Sequence, residues 1–149
     1  MYEFFKNLYI HIFKKSDLKK AEKELDKWKV IIQSEGIHGL RKMMSKFKWK
    51  KESSDWTPDD PAIVVMNGWK DDCDGAAVLA KWGFRQLGLS SDFYRLKGSS
   101  NHRVCITSDK KWFVSNSSVV EITSPEWRTF VLTWNWHSTK KYTSIQKVN

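Results

Sequence analysis

The apolar positions follow two rhythms along the chain. Leu18, Ala21, Leu25, Trp28 and Ile32 recur at steps of three and four, the period of a helix with one buried stripe. Ser16-Asp17 offers a cap at its start, and Gly36 and Gly39, flanking Ile37-His38, mark a break. Leu40, Met43, Met44 and Phe47 suggest a second, shorter amphipathic helix. The apolar run 62–66 is too short to assign by period alone. From Cys73 onward, Ala76, Ala77, Ala80, Phe84 and Leu87 fit one helical face, and Gly88 suits the residue just past the helix end. Beyond residue 90 the rhythm changes to alternation. Strands are expected over 92–97, 102–107, 111–116, 119–123 and 128–136, with turns at Gly98-Ser99-Ser100-Asn101 and Ser108-Asp109-Lys110.

Helices first and strands later predict an α+β layer arrangement. The expected organisation is a basic helical arm over 1–51, one domain over 52–137 and a loosely held polar tail over 138–149. Residues 52–55 read as a linker. The Thr57-Pro58-Asp59-Asp60-Pro61 stretch must open in extended or turn structure, because each proline disfavours helix in the residue before it.

Composition sharpens this picture. With 40% hydrophobic and 14% aromatic residues, the chain has enough large apolar groups for a packed core and is not of the disordered class. Most of the nine tryptophans read as core filler. The net charge of +9 is uneven: residues 1–51 hold 14 Lys/Arg against 6 Asp/Glu, and residues 52–149 hold 12 against 11. A basic arm suits nucleic acid, an anionic membrane or an acidic protein surface, although a solvated helix face is the commoner meaning of such a pattern. The basic run 46–51 is interleaved with Phe47 and Trp49, but no nucleic-acid-binding module motif accompanies it, so nucleic acid is not the expected partner. No segment reaches the ~18 apolar residues of a membrane span. Residues 1–15 are apolar but broken by Glu3, Lys6, Asn7 and His11. They read as a helix packed on the domain or on a partner, with an interfacial helix as the alternative. The two cysteines, Cys73 and Cys105, give no metal spacing and no disulfide framework. Free thiols fit a reducing compartment, so a cytoplasmic location is expected; no cofactor and no metal are expected either.

Candidate chemistry centres on Cys73. Asp71 or Asp72 can cap the helix that follows, placing Cys73 in its first turn, where the partial positive charge favours a thiolate. His102 opens an expected strand and is the right residue type for a base. Asn116 ends the next strand, beside the first, and could orient the imidazole, as in the Cys-His-Asn version of a catalytic triad. Each alone has an ordinary reading: a core thiol, a strand histidine, a turn asparagine. Trp56 and Trp69 are candidates to line a cleft. Cys105, three residues after His102, falls on the opposite strand face and reads as a buried structural thiol.

The Trp56-Thr57-Pro58-Asp59 element followed by Gly68-Trp69-Lys70-Asp71-Asp72-Cys73-Asp74-Gly75-Ala76 resembles the bacterial transglutaminase-like cysteine peptidases. Gln86-Leu87-Gly88-Leu89, His102-Arg103-Val104 and the Lys111-Trp112-Phe113-Val114-Ser115-Asn116 strand continue the resemblance over about residues 55–123. It implies a papain-like, transglutaminase-like core, with a nucleophile helix packed on an antiparallel sheet. It also implies a thiol hydrolase that attacks a protein or peptide carbonyl through Cys73, His102 and Asn116 and passes through a thioester. Asn67 stands at the spacing of the papain-like oxyanion donor; as the first half of Asn-Gly it also reads as a turn residue. The sequence departs from the family at Asn116, where Asp is more usual, and at Gly75-Ala76, where larger residues stand. Two alternatives stay open: a cross-linking transamidase, and a structural or binding component of a larger assembly, for example a phage particle, that uses the same scaffold. His102 turned away from Cys73 would favour the structural component.

Overall fold

The computed structural model describes residues 2–51, 60–134, 136 and 141–149. The chain opens with helices α1 (Tyr2–Phe13), α2 (Lys15–Glu35) and α3 (Ile37–Met44) and a short strand β1 (Lys48–Trp49). Helix α4 (Pro61–Met66), strand β2 (Lys70–Asp71) and helix α5 (Cys73–Gln86) follow. Strands β3 (Ser91–Gly98), β4 (Asn101–Thr107), β5 (Trp112–Ser115) and β6 (Ser118–Glu121), helix α6 (Trp127–Leu132) and strand β7 (Tyr142–Lys147) complete it.

Four of the five expected strands form, and together with β7 they build a five-stranded antiparallel sheet in the order β6-β5-β4-β3-β7. This is an α+β arrangement. One face of the sheet carries α5, with α2, α3 and α4 behind it. Their shared core joins Leu18, Ile32, Leu40, Met43, Ile63, Leu79 and Phe84 to Cys105 and Val114 of the sheet. The opposite face carries a smaller, aromatic cluster of Tyr94, Leu96, Val104, Ile106, Phe113 and Tyr142, packed with Trp127, Phe130, Trp134 and Trp136.

Several expectations are corrected. Residues 15–44 are not an arm. Leu18, Ala21, Leu25, Ile32, Leu40, Met43 and Met44 are buried in the main core, because the stripe that predicts the helices needs a partner surface and finds it on α4 and α5. Ser16 and Asp17 lie inside the first turn of α2 and do not cap it; its N-cap position is Lys14. No strand forms at the start of the expected 128–136 segment: residues up to Leu132 belong to helix α6, with Trp127, Phe130 and Val131 at helical spacing against the aromatic cluster. The polar tail contains β7, which pairs with β3 from Tyr94↔Lys147 to Gly98↔Tyr142. A β-bulge falls at Lys97/Gly98. There the backbones approach so closely that a Cβ on Gly98 would run into the Lys141 carbonyl oxygen. The run 62–66 proves helical: Asp60 caps α4 through the Ala62 N–H (2.9 Å) and Pro61 takes the first position, where its missing N–H costs nothing. The linker 52–55 and the Thr57-Pro58-Asp59 element lie outside the described residues. No described helix is long and apolar enough to cross a membrane.

Candidate functional site

Cys73 is the first residue of α5. Asp72 is the N-cap, its carboxylate accepting the Asp74 N–H at 2.9 Å. Asp71, buried at the end of β2, accepts the Asp72 N–H at 2.7 Å. Gly75 leaves room for that carboxylate, which a Cβ there would strike. The Asp-Asp-Cys-Asp-Gly run is thus a helix start folded around an acidic residue turned inward.

The Cys73 sulfur is half-buried and accepts the backbone N–H of Arg103 at 3.4 Å, its one hydrogen bond among the described residues. Arg103 turns its side chain the same way, placing Nε 3.0 Å from Asp74 Oδ1 in an ion pair. Burial pushes the Cys73 thiol up to about 11, helped by the negative charges of Asp74 and Asp72; the Arg103 N–H and guanidinium pull the other way and are outweighed. The expected helix-terminal thiolate is therefore not the resting state at neutral pH, and the thiol keeps its proton. Asp72, Cys73 and Asp74 bring three potential ligand atoms within 4.8 Å of one another and are the described group that could hold a metal ion. The Asp72 carboxylate already serves as helix cap and that of Asp74 is paired with Arg103.

His102 sits one residue before Arg103 on β4, so its side chain takes the opposite sheet face. It shares the face of Val104 and Ile106, away from α5. Its Nε2 lies 2.8 Å from Ser115 Oγ, within a buried hydrogen bond. Its ring stacks on Tyr142 (6.1 Å between centroids) and meets Trp136 edge-on (5.5 Å). The imidazole is a member of the aromatic cluster, and no hydrogen bond joins it to Cys73 among the described residues.

Asn116 does not orient His102 in this arrangement. It is the first residue of the two-residue loop closing the β5–β6 hairpin, with Ser115 and Ser118 paired across it, and has φ of 49°. Asparagine tolerates this left-handed conformation better than most residues. Its Oδ1 is buried with no hydrogen-bond partner among the described residues. The residue that holds the imidazole is Ser115, one position earlier.

Asn67 is an exposed residue that ends α4, its N–H returning to the Ile63 carbonyl at 3.0 Å; it is the turn residue of its Asn-Gly pair. Trp69 is buried against α2 and lines no cleft at Cys73. Its ring meets Trp28 edge-on at 6.4 Å, and its indole N–H donates to Glu24 Oε1 at 3.2 Å. Trp56 lies outside the described residues. Cys105 is fully buried on the α5 side of the sheet, and burial pushes its thiol up to about 12. The burial expected for it is found, but on the sheet face that also carries Cys73 rather than away from it.

Sequence reasoning missed Ser115, Arg103, Trp136 and Tyr142. The alternation in His102-Arg103-Val104-Cys105-Ile106 carries the signal. Once Cys105 and the alanines of α5 are assigned to one core, Arg103 must share the Cys73 side and His102 must leave it. Comparison with known protein families, with characterised proteins and with solved structures gave no match.

Proposed function

We propose that the chain is a non-catalytic structural or binding component of a larger assembly, on a scaffold whose element order resembles the transglutaminase-like one. The observation that carries this reading is the placement of His102. Its ring belongs to the aromatic face of the sheet and the thiol of Cys73 to the helical face. A thiol raised to about 11, with no base in hydrogen-bond reach among the described residues, is a poor nucleophile near neutral pH. The side chains the family uses for catalysis serve other ends: Cys73 closes the contact between α5 and β4, His102 ties β4 to β5 through Ser115, and Asn116 makes the hairpin turn.

A second reading, the thiol hydrolase, draws on one specific observation. The Arg103 N–H seats the Cys73 sulfur one peptide unit from His102, whose Nε2 meets Ser115 Oγ. In that reading the His102 imidazole takes the thiol proton as sulfur adds to a peptide carbonyl. The imidazolium returns the proton to the departing amine, and water cleaves the thioester; in a transamidase an amine takes the place of water. It requires the imidazole to leave Trp136 and Tyr142, with Ser115 rather than Asn116 orienting it.

The two readings separate in a burst assay. With p-nitrophenyl acetate as acylating substrate, the non-catalytic reading expects release of p-nitrophenol at the same rate from the parent protein and from Cys73→Ala. A stoichiometric burst that disappears in Cys73→Ala and in His102→Ala would establish the hydrolase instead.

A further inference from the structure

Helix α1 exposes a large apolar face. Phe4, Phe5, Leu8, Tyr9 and Ile12 are between 42% and 65% exposed. At 100° per residue these five fall within a single arc of roughly 140°, so they form one stripe. Lys6, on the other side of the helix, is half-buried. Elsewhere among the described residues large apolar side chains this exposed are single: Val30 and Trp49. A stripe of this size and aromatic content is far from the scattered exposed apolar residues of an ordinary surface.

The charge next to the stripe selects its occupant. Helix α1 runs directly into Lys14 and Lys15. On α2, Lys15, Lys19, Lys23 and Lys27 follow four residues apart in one solvent-facing row, with Lys20 beside it, and all are exposed. Lys20, Lys23, Lys27 and Lys46 border a shallow groove floored by Trp28 and Ile31. An apolar helix face rich in Phe and Tyr, continuous in sequence with a lysine row, is the pattern of a segment that lies in a bilayer interface and is held there by anionic headgroups. A second copy of the chain would set the same lysine rows near each other, which opposes self-association at this face.

We propose that α1 docks the protein onto an anionic lipid surface, with Phe4, Phe5, Leu8, Tyr9 and Ile12 entering the interface and the α2 lysine row facing the headgroups. This site is separate from Cys73 and holds whether or not Cys73 reacts.

The test is co-sedimentation of the whole protein with phosphatidylcholine vesicles containing about a third phosphatidylglycerol, alongside vesicles of phosphatidylcholine alone. The protein pellets with the anionic vesicles and much less with the neutral ones, and raising the salt releases it. The double substitution Phe5→Ser with Leu8→Ser, at exposed positions outside the core, weakens binding roughly tenfold or more with unchanged near-ultraviolet circular dichroism. The triple substitution Lys15→Gln, Lys19→Gln, Lys23→Gln weakens it at low salt and removes most of the salt dependence. Absence of binding to either vesicle overturns the proposal, as does equal binding to both or binding indifferent to the α1 substitutions. A dimer in solution that Phe5→Ser with Leu8→Ser converts to monomer also overturns it, because a second copy would then own the stripe.

Discussion

The two faces of the five-stranded sheet make an instructive pair. On one, aliphatic residues from four helices bury Cys105 and Val114, and the core is deep: Leu79, Leu40, Met43 and Phe84 are fully buried. On the other, Phe113 lies under Trp134, Trp136 and Phe130, and the described cover is one six-residue helix with Trp134 and Trp136. The first face is closed by many helix–sheet contacts, the second by a few large rings. Polar chemistry is split between them in the same way. The thiol and its Arg103–Asp74 neighbours sit at the helical face, and the imidazole with its Ser115 partner at the aromatic one. Because side chains alternate along a strand, a difference of one residue decides which face a group belongs to. His102 and Arg103 are such neighbours.

Truncating a fully buried ring on either face is the largest perturbation. Phe84→Ala and Phe113→Ala should each cost about 3–5 kcal/mol in urea denaturation. If the faces fold as one unit, both variants show a single transition and only its midpoint moves. A second, early transition in Phe113→Ala alone would mark the aromatic face as separately melting.

A smaller effect is expected at the polar tie on the aromatic face. Ser115→Ala leaves one imidazole nitrogen without its buried partner and should cost about 1–3 kcal/mol. It should leave the reactivity of Cys73 unchanged, since the two groups occupy opposite faces. Loss of Cys73 reactivity in Ser115→Ala would break the comparison.

The thiols make the helical face sensitive to alkali. Both are raised, Cys73 to about 11 and Cys105 to about 12, so the folded chain holds these protons more tightly than the unfolded one, in which thiols titrate near ~8.5. Stability is therefore fully present below about pH 8.5 and falls as pH rises toward the folded values. The fall should be shallower in Cys105→Ala than in the parent, after correction for the lost packing.

The smallest effect concerns the start of α5. Asp72→Ala removes a cap worth about 1 kcal/mol. It also removes one of the charges that raise the thiol, so Cys73 should titrate at lower pH than in the parent. An unchanged or higher titration would show that Asp72 acts on the sulfur only through the helix.

Legibility in the sequence followed the same division between faces. The stripes of α2, α3 and α5 and the alternation of β3 to β6 reported their own burial, because each has one side in the core. Residues 128–136 misled because Thr129, Phe130, Val131 and Thr133 are strand-forming types. The spacing of Trp127, Phe130 and Val131 carried the helix, and tertiary packing on the rings fixed it. Strand β7 was illegible because it is an edge: apart from Tyr142 and Ile145 its residues are polar, so no alternating pattern announces it. At the site, an acidic cap at Asp71 or Asp72 and Cys73 in the first turn of α5 could be read directly; the structure selects Asp72. The face of His102 could not, because strand parity is relative, and only the packing of α5 against Cys105 and Val114 says which face the thiol occupies.

The most direct test is the iodoacetamide alkylation rate of Cys73 against pH, in a Cys105→Ala background, with and without His102→Ala. The separation of thiol and imidazole predicts slow labelling at neutral pH, a titration well above the ordinary ~8.5 and toward 11, and the same profile without His102. Rapid labelling that persists below neutral pH and vanishes in His102→Ala would contradict it, and would place a working thiolate–imidazolium pair at the head of α5.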